Sequence, residues 1–184
     1  MKHKTVDLAT EIRRASLPNG LEGFLFPVFE AVSNALHAIE DRFGEDLTKK
    51  GEIRITFDSE KEVIEVCDNG EGFSTQNLEA FLTPFMGNKF KRKGKGFGRF
   101  ISFKIFEDVY YASPTVLPDK TDFTSEIFAY KPLKDDDNLI PLDDISVIPR
   151  HRHDHGLTVS FRNPRNDYRT FFDFTSENKQ HDHT

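Results

Sequence analysis

The sequence predicts an α+β fold, a two-layer sandwich with helices packed on one face of a mixed, mainly antiparallel sheet. Three observations predict it. Between Phe26 and Phe43 the apolar residues Phe29, Val32, Leu36, Ile39 and Phe43 recur at three- and four-residue steps, the spacing of an amphipathic helix. Ile53-Arg54-Ile55-Thr56-Phe57 and Val63-Ile64-Glu65-Val66-Cys67 flank the polar turn Asp58-Ser59-Glu60-Lys61-Glu62 and read as a hairpin. A second helix then precedes several strand-like runs.

In chain order, residues 1–24 form a polar-mixed segment whose weak helical pattern (Val6, Leu8, Ile12) breaks at Pro18-Asn19-Gly20. The first strong helix has Pro27 near its first turn and Gly44 beyond its end, which is how helices are punctuated. After the hairpin, Asp68-Asn69-Gly70-Glu71-Gly72 closes the second strand with a turn. Residues 73–93 lack strong periodicity and end in the basic run Lys89-Phe90-Lys91-Arg92-Lys93, so they read as a lid. Gly94-Lys95-Gly96-Phe97-Gly98 opens a helix to about Phe106, with Phe100, Ile101 and Ile105 as its buried face. Strand-like pieces follow near 108–112, 126–131 and 157–162, separated by loops rich in Pro and Asp. The expected organisation is an N-terminal segment 1–24, a domain 25–165 and a polar C-terminal tail 166–184.

Composition bounds the function. The 184 residues make about one domain. The net charge of −6, from 25 Lys and Arg against 31 Asp and Glu, argues against a dedicated duplex-DNA binder. The hydrophobic share of 36% is lean, yet 19 Phe supply bulk for one core. A single cysteine, Cys67, excludes an intramolecular disulfide and a cysteine-only zinc cage. With no long apolar run and no apolar signal core, the expectation is a soluble, cytoplasmic protein away from membranes.

Three groups of residues carry chemistry. Glu30, Asn34 and His37 share one face of the first helix, among the small residues Ala31, Ala35 and Ala38 that would let a flat ligand approach. Asp68 ends a strand before Gly70 and Gly72, where a carboxylate could accept from an exocyclic amine and glycine permits close approach. Gly94, Gly96 and Gly98 precede a helix whose backbone N–H groups suit phosphate, although the spacing is neither a P-loop nor a dinucleotide fingerprint. Each alone also reads blandly: a solvated helix face, an ordinary Asp-Asn-Gly turn, a flexible loop. His151, His153 and His155 alternate as three metal ligands on a strand would, although a loop is the simpler setting.

Taken in order, Glu-x-x-Ser-Asn-Ala-x-His-Ala (30–38), Asp-x-Gly-x-Gly (68–72), Gly-x-Gly-x-Gly (94–98) and Gly156-Leu157-Thr158-Val159 resemble the GHKL ATPase superfamily. Its members include gyrase B, the ninety-kilodalton heat-shock chaperones, MutL and sensor histidine kinases, and they share the Bergerat ATP-binding fold. The stretch Pro27–Ala35, with Gly-Lys-Gly-Phe-Gly-Arg-Phe later, looks most like prokaryotic chaperone-like ATP-binding proteins. The resemblance implies ATP and Mg²⁺. By it Glu30 activates water, Asn34 ligates Mg²⁺, and Asp68 reads the adenine amino group with Gly72 packing on the ring. Gly94, Gly96 and Gly98 surround the phosphates, Lys89 contacts them, and Ala38, Gly70, Phe97 and Thr158 complete the nucleotide-binding set. Two positions depart from the family pattern. His37 stands where several relatives carry Asp, and Leu157 where many carry the Thr that holds the Asp68 side chain; Thr158 takes that place if the register shifts.

The resemblance implies slow, Mg²⁺-dependent ATP hydrolysis, with lid closure as a switch for a protein partner or a downstream domain. A nucleotide-dependent dimer is compatible with it. The alternatives are a nucleotide-gated binding module without turnover and a histidine-kinase-like phosphotransferase. Nucleic acid at the basic lid is a further, weaker option.

Overall fold

The computed structural model describes residues 12, 14–72, 98–116, 123–130, 139–140 and 154–177. Helix α1 spans Leu21–Phe43. It starts a turn and a half before the position that Pro27 suggested, and Pro27 lies inside it. The ring needs room at the carbonyl four residues back, which belongs to Gly23, and burial of Phe24 and Val28 (2% and 4% exposed) holds the added turns on the core. At the far end Gly44 adopts φ 54° and donates its N–H to the Glu40 carbonyl, stopping the helix where the sequence places the stop.

A short helix α2 (Leu47–Lys50) leads to the hairpin β1 (Ile53–Asp58) and β2 (Val63–Asp68). Helix α3 (Gly98–Ile105) runs directly into the long strand β3 (Phe106–Val116). Strands β4 (Phe123–Tyr130), β5 (Leu139–Ile140) and β6 (Thr158–Pro164) follow, then helix α4 (Asn166–Glu177). The strand order is β1-β2-β6-β3-β4-β5, and every described pairing is antiparallel. Strand β6 therefore inserts between β2 and β3, and it brings residues 156–158 beside the end of β2.

Alternation along the strands sends Ile64, Val66, Val109, Tyr111, Val159 and Phe161 toward the helices, where they meet Phe24, Val28 and Ala31 of α1 and Phe103 and Ile105 of α3. Helices α1, α3 and α4 pack on β2, β3 and β6 and against α1, giving the expected two layers. The other face of the centre is buried too, through Tyr110, Ala112, Thr158 and Ser160. Cys67 points to that face beside Thr158 and is half-buried.

The segment expected as a polar tail from 166 is corrected as far as 177. It is helical, and Phe172 (2% exposed) joins an aromatic cluster around Phe24, with ring centroids 5.5 Å apart edge to face. Phe171 lies 5.3 Å from the same ring. Phe172→Leu should lower stability by about 1–2 kcal/mol, seen as an earlier urea midpoint. An unchanged midpoint would mean that α4 contributes nothing to the fold.

Candidate functional site

The site forms where α1 passes the end of β2. Helical spacing puts Glu30, Asn34 and Ala38 along one flank of α1, with Glu30 half-buried and Asn34 exposed. The turn after β2 closes on the last of these. The Glu71 N–H donates to the Ala38 carbonyl at 3.1 Å, and a Cβ on Gly70 would lie 2.6 Å from both the Ala38 carbonyl carbon and its Cβ. Only glycine lets the turn touch the helix backbone there. Asn69 anchors the outer side: its carboxamide donates to the Lys50 carbonyl and accepts from the Glu52 N–H, both at 2.8 Å. Arg42 donates to its carbonyl at 2.6 Å.

Asp68 is 3% exposed and ends β2 facing the helix layer. Burial pushes its carboxyl up to about 6, against the pull of the Gly70 and Leu157 backbone amides. The Gly70 N–H donates to Asp68 Oδ1 at 2.8 Å, which fixes the rotamer. Opposite, the Asp68 N–H donates to the Leu157 carbonyl at 2.9 Å. Gly72, at φ 73°, comes so close to Gly156 and Ser113 that a Cβ would lie 2.6 Å from the Gly156 carbonyl oxygen and 2.8 Å from Ser113 Oγ. A buried carboxylate thus sits in a cradle of glycines packed against α1 and the start of β6.

The register of β6 corrects the expectation for the Thr158 hydroxyl. Thr158 pairs with Cys67 and Ala112, so its side chain points to the face opposite α1 and α3, away from Asp68. No register shift occurs, and Leu157 stands on the Asp68 side among the partly buried residues of the helix-side core. The hydroxyl on that side comes from Ser113 of β3, fully buried and donating to the Gly156 carbonyl at 2.8 Å. Ser113 was invisible in the sequence because nothing local marks it; only the insertion of β6 between β2 and β3 brings it there.

Of the expected nucleotide-binding residues, the structure gathers Ala38, Asp68, Gly70 and Gly72, with Glu30 and Asn34 further along the same flank of α1. Gly98 is the first residue of α3, which packs against α1. Lys89, Gly94, Gly96, Phe97 and the lid 73–93 lie outside the described residues, as do His151 and His153. Among the described residues no three His, Cys, Asp or Glu side chains cluster as a metal site.

The family model of the histidine kinase-, DNA gyrase B- and HSP90-like ATPases matches residues 27–166. The chain belongs to the GHKL ATPase family. The match begins within α1 and ends at the first residue of α4, so it spans the whole described sheet. No curated protein sequence matches the chain. Family membership makes the domain an ATP-binding module of GHKL type. Among the described residues no helix is long and apolar enough to cross a membrane.

Proposed function

We propose that the domain binds ATP with Mg²⁺, adenine against Asp68, and hydrolyses it slowly, switching a protein partner as the 73–93 lid closes. The observation that carries this reading is the buried Asp68 carboxylate held at a glycine cradle beside the Glu30–Asn34–Ala38 flank of α1. The carboxylate accepts from the adenine amino group, while Gly70 and Gly72 let the turn after β2 close on Ala38 and on Gly156 and so hold that carboxylate in place. Ser113, by pinning Gly156, fixes the β6 side of that turn.

The residues fit Mg²⁺ bound mainly through phosphate oxygens: Asn34 offers one carboxamide oxygen, a hard ligand of the kind the ion prefers. When bound, the cation supplies charge neutralisation for phosphoryl transfer. Glu30, one helical turn before Asn34, takes the proton from the attacking water and orients it.

Glu30→Ala should keep ATP affinity within a factor of about two and abolish hydrolysis, as expected for a group that acts only in the transition state. Calorimetry with ATP and a phosphate-release assay read the two effects separately. Wild-type turnover in this variant would remove Glu30 as the base. Loss of binding would make it structural. Binding in the wild type without any turnover would leave the nucleotide-gated module as the function.

A further inference from the structure

We propose that two copies of this chain join edge to edge through β1, antiparallel about a twofold axis at Thr56, to form one continuous sheet. Strand β1 stands at the end of the sheet, and among the described residues no strand borders its outer side. Its sequence, Ile53-Arg54-Ile55-Thr56-Phe57-Asp58, contains no Pro, and Ile55 and Phe57 are 45% and 43% exposed. The unpaired N–H and C=O groups of such an edge are a ready template for pairing with another chain.

Charge complementarity selects a second copy as the occupant and fixes its register. With Thr56 opposite Thr56, Ile55 faces Phe57 of the other copy and Arg54 faces Asp58, each contact occurring twice. These are the β-branched–aromatic, Thr–Thr and opposite-charge pairs that stabilise antiparallel strands. A one-residue slip that puts Ile55 on the axis sets Glu52 against Asp58 and leaves Arg54 opposite Thr56. Within one chain Arg54 pairs with Glu52 and Asp58 with Lys61, both at the surface, where such pairs hold weakly and exchange partners.

The helix layer continues the surface. Ile55 and Phe57 pair with Val66 and Ile64 and so face the helices, and α1 reaches β1 as well as β2. On the flank of α1 away from Ala38, Phe29 and Leu36 lie seven residues apart and are 56% and 50% exposed. In the joined sheet two α1 helices over their β2 strands would be about 14 Å apart, a gap that facing rows of Phe and Leu fill.

Sedimentation velocity on the full chain, with and without ATP, tests this. The wild type should sediment as a dimer in both conditions. Arg54→Asp or Asp58→Arg should each weaken association about tenfold or more, because each sets two like-charge pairs across the axis. The double variant Arg54→Asp/Asp58→Arg should regain the wild-type dimer, and an equimolar mixture of the two single variants should form a heterodimer. Circular dichroism confirms that each variant is folded, and Ile55→Glu gives a second disruption that does not depend on the charges. A monomeric wild type overturns the proposal, including one that binds a strand from another protein instead. So does a dimer indifferent to either charge reversal, or a double variant that stays monomeric.

Discussion

Asp68→Asn should produce a protein that is more stable and binds adenine nucleotides worse. The Asp68 carboxyl is raised from 3.8 in the unfolded chain to about 6 by burial. The folded state therefore holds a proton that the unfolded state has released, and stability falls as pH rises from about 4 to about 6, then levels. The penalty above that window is about 3 kcal/mol at most, taking 1.36 kcal/mol for each pKa unit. Asparagine removes it and keeps an oxygen for the Gly70 N–H. Without nucleotide, the variant should gain up to that amount at pH 7 and lose the slope between pH 4 and 6 in urea titrations.

Nucleotide affinity should move the other way. A carboxylate accepts from the adenine amino group more strongly than an amide does, and ADP binding should weaken by about 1–3 kcal/mol. Wild-type affinity should also decline as pH falls through about 6, the value to which burial has raised the Asp68 carboxyl. Calorimetry that finds ADP affinity unchanged in the variant would sink the adenine-reading role. A wild type with no slope between pH 4 and 6 would remove the stability argument and leave the binding one standing.

Gly156→Ala should be the most damaging single methyl in the described part of the chain. Gly156 holds φ 110°, which L side chains rarely adopt, and a Cβ there would land on the Asp68 carbonyl oxygen, 2.8 Å from its carbon and 2.9 Å from Asn69 Cα. All three are backbone atoms of the site, so no side chain can swing away. We expect a loss of about 3 kcal/mol or more in urea unfolding, together with loss of nucleotide binding. Gly44→Ala is the control: its φ is 54°, but nothing lies within 4 Å of the added Cβ. It should cost only about 1 kcal/mol and leave binding intact. Equal losses in the two variants would mean that backbone conformation alone, and not the contact with β2, makes position 156 critical.

The parts legible in the sequence are those whose physics is local. The hairpin of strands 53–57 and 63–67 was readable because alternation and a polar turn are enough to specify it, and the two strands do pair antiparallel. The stop of α1 at Gly44 was readable from glycine's backbone freedom. Its start was not. Pro27 reads as a first-turn residue by preference, and only the burial of Phe24 and Val28 against β3, α3 and α4 residues overrides that preference. The helix at 166–177 was missed for a similar reason: its polar residues dominate the composition, and the weight of Phe172 shows only once Phe24 lies 5.5 Å away.

The candidate site divides in the same way. By itself the sequence determined the class of the domain and marked out a candidate site, because Glu30, Asn34, Asp68, Gly70 and Gly72 sit in two short motifs whose spacing a helix and a turn convert directly into geometry. Tertiary structure alone decided which hydroxyl and which glycine complete it. With β6 inserted between β2 and β3, Thr158 faces away from Asp68, Gly156 closes on the Asp68 backbone and Ser113 reaches in from β3. Those placements depend on pairing between residues 46 to 99 positions apart, and a one-residue change in the register of β6 would turn its side chains to the other face.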